Sequence, residues 1–172
     1  GEEVSLGPGA APGSADLDTG SIPGEGEVEY VNGPSLAWDQ YLAMNGEMRV
    51  ACGDLDGDHL DEVVIGLGSY PQAGGWIAIE DDALHGFRLL RWIRVPFSLY
   101  NAADGQTRPT CGDFDGDGRD EIVVGLGPYP SSGGWMPVFE DAASNFAFSN
   151  WIRAGWAAYN AANGETRPVA GQ

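Results

Sequence analysis

Two stretches of this chain gather carboxylates at a spacing that can grip a cation. Asp54, Asp56, Asp58, Asp61 and Glu62 fall within nine residues, and Asp113, Asp115, Asp117, Asp120 and Glu121 repeat the pattern 59 residues later. Each copy runs straight into a β-branched stretch, Val63-Val64-Ile65 or Ile122-Val123-Val124. Counting Asp54 or Asp113 as position 1, aspartates stand at positions 1, 3 and 5. On a tightly wound loop, alternate carboxylates can point at one centre. The main-chain carbonyl at position 7, of Leu60 or Arg119, adds an oxygen, and a carboxylate at the start of the next strand closes the shell. An oxygen-only set of roughly six or seven ligands suits Ca²⁺. No His or Cys ligand takes part, which argues against zinc. Mg²⁺ prefers a smaller, more hydrated site and is the second choice. The shell is filled by protein, so the ion's expected role is structural.

The elements that position these loops repeat with them. Trp76, Trp92, Tyr100 and Arg108 match Trp135, Trp151, Tyr159 and Arg167 at the same offset. Backwards, Tyr41, Gly46, Arg49 and Cys52 fall on Tyr100, Gly105, Arg108 and Cys111. A fixed period of this length predicts a tandem repeat architecture. Gly and Pro punctuate short apolar runs, which is an all-β pattern. Four strands are expected per full repeat: Arg49 to Cys52, Glu62 to Gly66, Trp76 to Glu80 and Phe87 to Val95, with a turn at Asp81 to Gly86. In the second repeat the last three run Glu121 to Gly125, Trp135 to Glu140 and Phe146 to Ala154. The tail Tyr100-Asn-Ala-Ala-Asp-Gly is read as a turn back to the next unit. The boundaries are 1–52 for a degenerate first repeat with a Gly/Ala/Pro-rich arm, 53–111 and 112–172. In the first repeat, Val28-Glu29-Tyr30 is a candidate short strand.

The pattern Asp-x-Asp-Gly-Asp-x-x-Asp-Glu-[Val/Ile]-Val-[Ile/Val]-Gly resembles the FG-GAP/VCBS repeat, also found in the β-propeller of integrin α-subunits. The resemblance covers both complete repeats and, more faintly, the first. It implies four-stranded propeller blades with a Ca²⁺ loop between the first two strands, and extracellular proteins of adhesion and recognition. The fold expected is all-β, with about three tandem propeller-like blades, the first incomplete. Two departures stand out. Family members carry Asp at position 9, whereas Glu62 and Glu121 stand here behind Asp61 and Asp120, so which of each pair binds is open. Position 6 is usually Gly, as at Gly118, but the first loop has His59, which a positive φ would strain; the first site is expected to be the weaker.

Composition bounds the rest. A formal net charge of -18, with eight basic residues that are all Arg, excludes the basic patch that nucleic acid needs and disfavours anionic membrane surfaces. No apolar run is long enough to span a bilayer. Cys52 and Cys111 occupy equivalent positions and read as two small buried residues rather than a disulfide. His59 and His85 lie in no nucleophile or zinc motif, and no Gly-x-Ser-x-Gly, His-Glu-x-x-His or phosphate loop occurs. The chain reads as non-enzymatic, with no catalytic residue. Six Trp allow glycan stacking, but their periodic placement favours packing between units. Arg49, Arg108 and Arg167 are expected to pair with carboxylates or carbonyls.

The period also shapes the expected partner. Glu3, Val4, Gly7, Gly9 and Pro12 fall on Glu62, Val63, Gly66, Gly68 and Pro71, while Gly171-Gln172 match Gly112-Asp113. Three periods of 59 exceed the 172 residues by five. An open stack would expose strand edges. Other copies of the chain, docking head to tail with Glu3 to Leu6 as a donated strand, would continue the rhythm as a filament or surface-adhesion subunit. A glycan-binding module, or a fragment of a larger surface protein, is the alternative.

Overall fold

The structure is a computed structural model and describes Pro34, Leu36 and residues 38–71, 74–130 and 133–171. The Glu3 to Leu6 and Val28 to Tyr30 segments lie outside the described residues. The described chain is two four-stranded antiparallel sheets with little helix. Sheet 1 is the meander β1 (Met48–Gly53), β2 (Glu62–Leu67), β3 (Trp76–Glu80) and β4 (Leu89–Arg94). Sheet 2 repeats it with β5 (Thr107–Gly112), β6 (Glu121–Leu126), β7 (Trp135–Phe139) and β8 (Phe148–Arg153). Each acidic loop joins the first two strands of its sheet, which pair from Gly53↔Glu62 to Met48↔Leu67 and from Gly112↔Glu121 to Thr107↔Leu126. The first strand of each sheet therefore comes from the sequence just before its loop, ahead of the 53 and 112 boundaries.

Strands β2 and β6 are buried on both faces, which is why they read as continuous apolar runs rather than alternating ones. Alternation still sorts their side chains. Val64, Ile77, Ile79 and Ile93 of sheet 1 form one cluster with Ile122, Val124 and Leu126 of sheet 2. Val63, Ile65 and Leu67 point the other way, into a second cluster with Leu36 and Tyr41. Sheet 1 thus has a leading face toward Leu36 and a trailing face toward sheet 2. The approach is close at Gly66, where an added Cβ would run into Pro109 Cδ and sit 2.5 Å from the Thr107 carbonyl. Glycine is required there because backbone meets backbone.

One expectation needs correcting. The Tyr100 tail is not a turn alone: α2 (Ser98–Ala103) is a short helix, matched by α1 (Asp39–Met44) and α3 (Ala157–Ala162). Six residues with no side-chain cap are too few to hold a helix by propensity. Burial of one tyrosine does it. Tyr100 is fully buried, donates to the Gln106 carbonyl at 2.7 Å and accepts from Gly127 N–H at 2.6 Å. Tyr41 makes the same pair of bonds to the Glu47 carbonyl and Gly68 N–H. Helices α1 and α2 thereby lock the preceding connection onto the sheet that follows each of them. The Asp81 to Gly86 turn is present as a 3₁₀ turn, Ala83–His85, capped by the Asp82 carboxylate.

The indoles are mostly packing elements. Trp76 and Trp92, and Trp135 and Trp151, meet edge to face at 6.3 Å and 6.0 Å, with Arg94 and Arg153 lying over Trp76 and Trp135. The recurring arginines pair as expected. Arg49 donates to the Leu67 carbonyl and to Gln106, and Arg108 to Gln106 with Glu165 at 3.1 Å. Cys111 is buried, and burial pushes its thiol above the ordinary range; Cys52 is exposed rather than buried, because its side of β1 faces away from sheet 2.

Candidate metal centre

Both loops are wound by their own aspartates. In the first, Asp54 accepts from Gly57 N–H at 2.7 Å and His59 N–H at 2.9 Å, Asp56 from Asp58 N–H at 3.1 Å, and Asp58 from Leu60 N–H at 2.8 Å. The second loop repeats these bonds one for one. Asp113 accepts from Gly116 and Gly118, Asp115 from Asp117, and Asp117 from Arg119. The closing glutamates also match: Glu62 accepts from Leu55 N–H at 2.7 Å and Glu121 from Phe114 N–H at 2.8 Å. Position 6 is left-handed in both, with φ 72° at His59 and 91° at Gly118. His59 therefore carries the strain that its sequence position suggested.

The carboxylates converge in groups. Asp54, Asp56 and Asp58 bring oxygens within 4.8 Å of one another, and so do Asp113, Asp115 and Glu121. Glu62 instead groups with Asp81 and Asp82 of the following turn. Asp61 is exposed, and neither Asp61 nor Asp120 joins a group. Asp120 leans toward the first loop: its amide donates to the Asp54 carbonyl at 2.8 Å, and its carboxylate comes so near Gly53 that no Cβ would fit there. The second loop is thus built against the first. Ala142 N–H extends the contact to the Leu55 carbonyl at 2.9 Å.

The residues fit a hard divalent cation. Glu62 is fully buried, and its Oε1 has no hydrogen-bond partner. A buried carboxylate oxygen without a partner is costly, and a bound cation would supply what it lacks. Desolvation, with Asp56, Asp58 and Asp54 nearby, pushes Glu62 up to about 7, and burial also raises Glu121. The donor set is oxygen throughout, as calcium prefers.

Sequence spacing alone could not find the neighbours of the loops. Asp81, Asp82 and His85 sit beside the first one. His85 Nδ1 lies 2.6 Å from Asp82, and Arg88 donates to Asp81 at 2.6 Å. At the second loop, Arg119 spans Asp117 and Asp141, the counterparts of Asp58 and Asp82. Its side chain neutralises there what Leu60 cannot in the first loop. The only foreshadowing was the acidic pair Asp81-Asp82, which read as part of a turn.

Glu62 gives the metal-free protein a pH signature. Its native value lies above the ordinary 4.5, so the native state holds the proton more tightly than the unfolded chain does. Stability of the chelated protein should therefore fall as pH rises from about 4.5 to about 7. Melting temperature against pH in EDTA checks this, and Glu62→Gln should flatten the decline. A profile that is the same with Gln at this position would refute it.

No family model, no curated protein and no solved structure matches this chain. Among the described residues, no helix is long and apolar enough to cross a membrane. The functional reading rests on the loops and their setting.

Proposed function

We propose that this chain is a non-enzymatic, calcium-binding structural repeat protein. Its sheets act as successive propeller-type blades, and its setting is extracellular or at a cell surface, where calcium is millimolar. The observation that carries this reading is the bond-for-bond duplication of two aspartate-wound loops, each at the junction of the first two strands. Asp54, Asp56, Asp58 and Glu62, and Asp113, Asp115, Asp117 and Glu121, would hold the ions, with the Leu60 and Arg119 carbonyls. A bound Ca²⁺ would supply positive charge that cancels the crowding of these acids. The residues themselves fix the loop as the rigid corner between strands, and the Asp120 to Asp54 bond ties one corner to the next. Such units suit an assembly of copies stacked head to tail, as a filament or adhesion subunit.

Calorimetric titration of the full chain tests the metal reading. Two Ca²⁺ sites are expected, with Mg²⁺ weaker, and Asp56→Asn with Asp115→Asn should abolish both. No Ca²⁺ uptake by the full chain would overturn the metal reading. The glycan-binding alternative draws on one strongly exposed indole among the described residues, Trp156 at 67 %; a glycan-dependent fluorescence change lost in Trp156→Ala would favour it.

A further inference from the structure

Equivalent positions in the two sheets have opposite exposures. Leu55 is 0 % exposed and its counterpart Phe114 54 %; Ile93 is 6 % and Ile152 43 %. Chemistry does not separate them, since all four are apolar. Leu55 and Ile93 lie on the trailing face of sheet 1 and pack in the cluster shared with sheet 2. Phe114 and Ile152 lie on the trailing face of sheet 2, along an open trench of about 420 Å³ that Val123, Met136 and Val169 also line.

Residues 166–170 border that trench. They sit on sheet 2 as β5 sits on sheet 1. Thr166 Oγ accepts from Leu126 N–H at 2.8 Å, as Thr107 Oγ accepts from Leu67 N–H at 2.7 Å. An added Cβ on Gly125 would meet the Thr166 carbonyl and Pro168, as one on Gly66 meets the Thr107 carbonyl and Pro109. Segment 166–170 is thus placed as the first strand of another sheet, yet among the described residues no strand pairs with it. Val169 is 91 % exposed. Tyr159 shows the same incompleteness. Its hydroxyl donates to the Glu165 carbonyl at 2.8 Å, but the amide that Tyr41 and Tyr100 each receive has no counterpart among the described residues.

The chain carries a matching segment in its own sequence. In both sheets the first strand pairs with the segment that begins Glu62-Val63 or Glu121-Ile122, and Glu3-Val4-Ser5-Leu6-Gly7-Pro8 aligns with that segment. Pro8 replaces Leu67, whose N–H leaves the ladder for Thr107 Oγ, so proline forfeits no strand pairing there. Leu36 packs on the leading face of sheet 1, whereas 166–170 lies on the trailing face of sheet 2. Both sheets stand between them, which favours a donor from a second molecule.

Resting on the head-to-tail reading above, we propose that residues 3–8 of a second copy of this chain pair antiparallel with residues 166–171 and cover Phe114 and Ile152. Strand addition gives main-chain bonds for affinity and apolar pockets for register. The contact is heterologous, so it propagates.

Two full-length-based variants separate donor from acceptor. Val169→Asp spoils the acceptor at an exposed position, and deletion of residues 1–14 removes the donor. By analytical ultracentrifugation in calcium, wild type should form concentration-dependent oligomers and each variant should be monomeric. Mixed, the two should give heterodimers only, since one retains the donor and the other the acceptor. Unchanged calcium-dependent melting in both variants shows that they fold, and Ile152→Asp repeats the acceptor test at a second site. A wild type that binds calcium but stays monomeric overturns the docking and leaves the calcium reading standing. A wild type that assembles but takes up no calcium does the reverse. Assembly that survives both variants, or a mixture with no heterodimer, overturns the proposed contact.

Discussion

Saturating calcium is expected to raise the melting temperature of the full chain by about 6–12 °C over the chelated protein. At a free concentration about ten times the dissociation constant, each site adds roughly 1.4 kcal/mol, and two loops give roughly 3 kcal/mol, worth about 2–4 °C per kcal/mol in a domain of this size. The loops hold ten of the 26 acidic residues, and the buried Glu62 Oε1 has no protein partner, so the metal-free state carries both repulsion and an unmet acceptor. Scanning calorimetry in calcium, magnesium and EDTA checks the expectation. Coincident transitions in all three would remove calcium from the structural role. Because Asp120 N–H holds the Asp54 carbonyl, filling one loop should also steady the other, and Asp115→Asn alone should lower affinity at both sites.

The second large effect is expected at Tyr100. Truncation to Ala should cost about 3–5 kcal/mol, since the ring is fully buried among Phe97, Tyr129 and both sheets. Its hydroxyl also joins the Gln106 carbonyl to Gly127 N–H, so Tyr100→Phe alone should cost about 1–3 kcal/mol by leaving a buried amide and a part-buried carbonyl unmet. Tyr159 is the same residue at the same repeat position, half-buried and with one of the two bonds. Tyr159→Ala should therefore cost well under half as much in the isolated molecule. Urea denaturation in saturating calcium measures both, and equal costs would show that the helix, not the tyrosine, secures the connection.

Much of the frame was legible from residue order. The strand runs at Glu62, Trp76, Glu121 and Trp135 were readable within a residue or two, because β-branched segments bounded by Gly and Pro have few other options. The loop residues were legible too, since aspartate at alternate positions is informative without any knowledge of neighbours. The helices at Ser98 and Ala157 were not. Their sequences carry no cap and little periodicity, and they form because Tyr100 finds an acceptor and a donor in the next unit, and Tyr159 an acceptor in the Glu165 carbonyl. The partition of the acid pairs was equally hidden. Adjacent residues on a strand face opposite ways, so one of Asp120 and Glu121 had to leave the loop, but only the neighbouring loop shows that Asp120 is the one turned away.

The sequence by itself determined the repeat, its period, the strand content and the oxygen-rich loops, because those follow from residue type and spacing. Tertiary structure alone decided which carboxylates converge, and that Arg119 serves the second loop as a built-in cation. It also decided that Leu55 is buried while Phe114 is left open. Each of these depends on what another unit places opposite, and a linear pattern does not encode the far side of a contact.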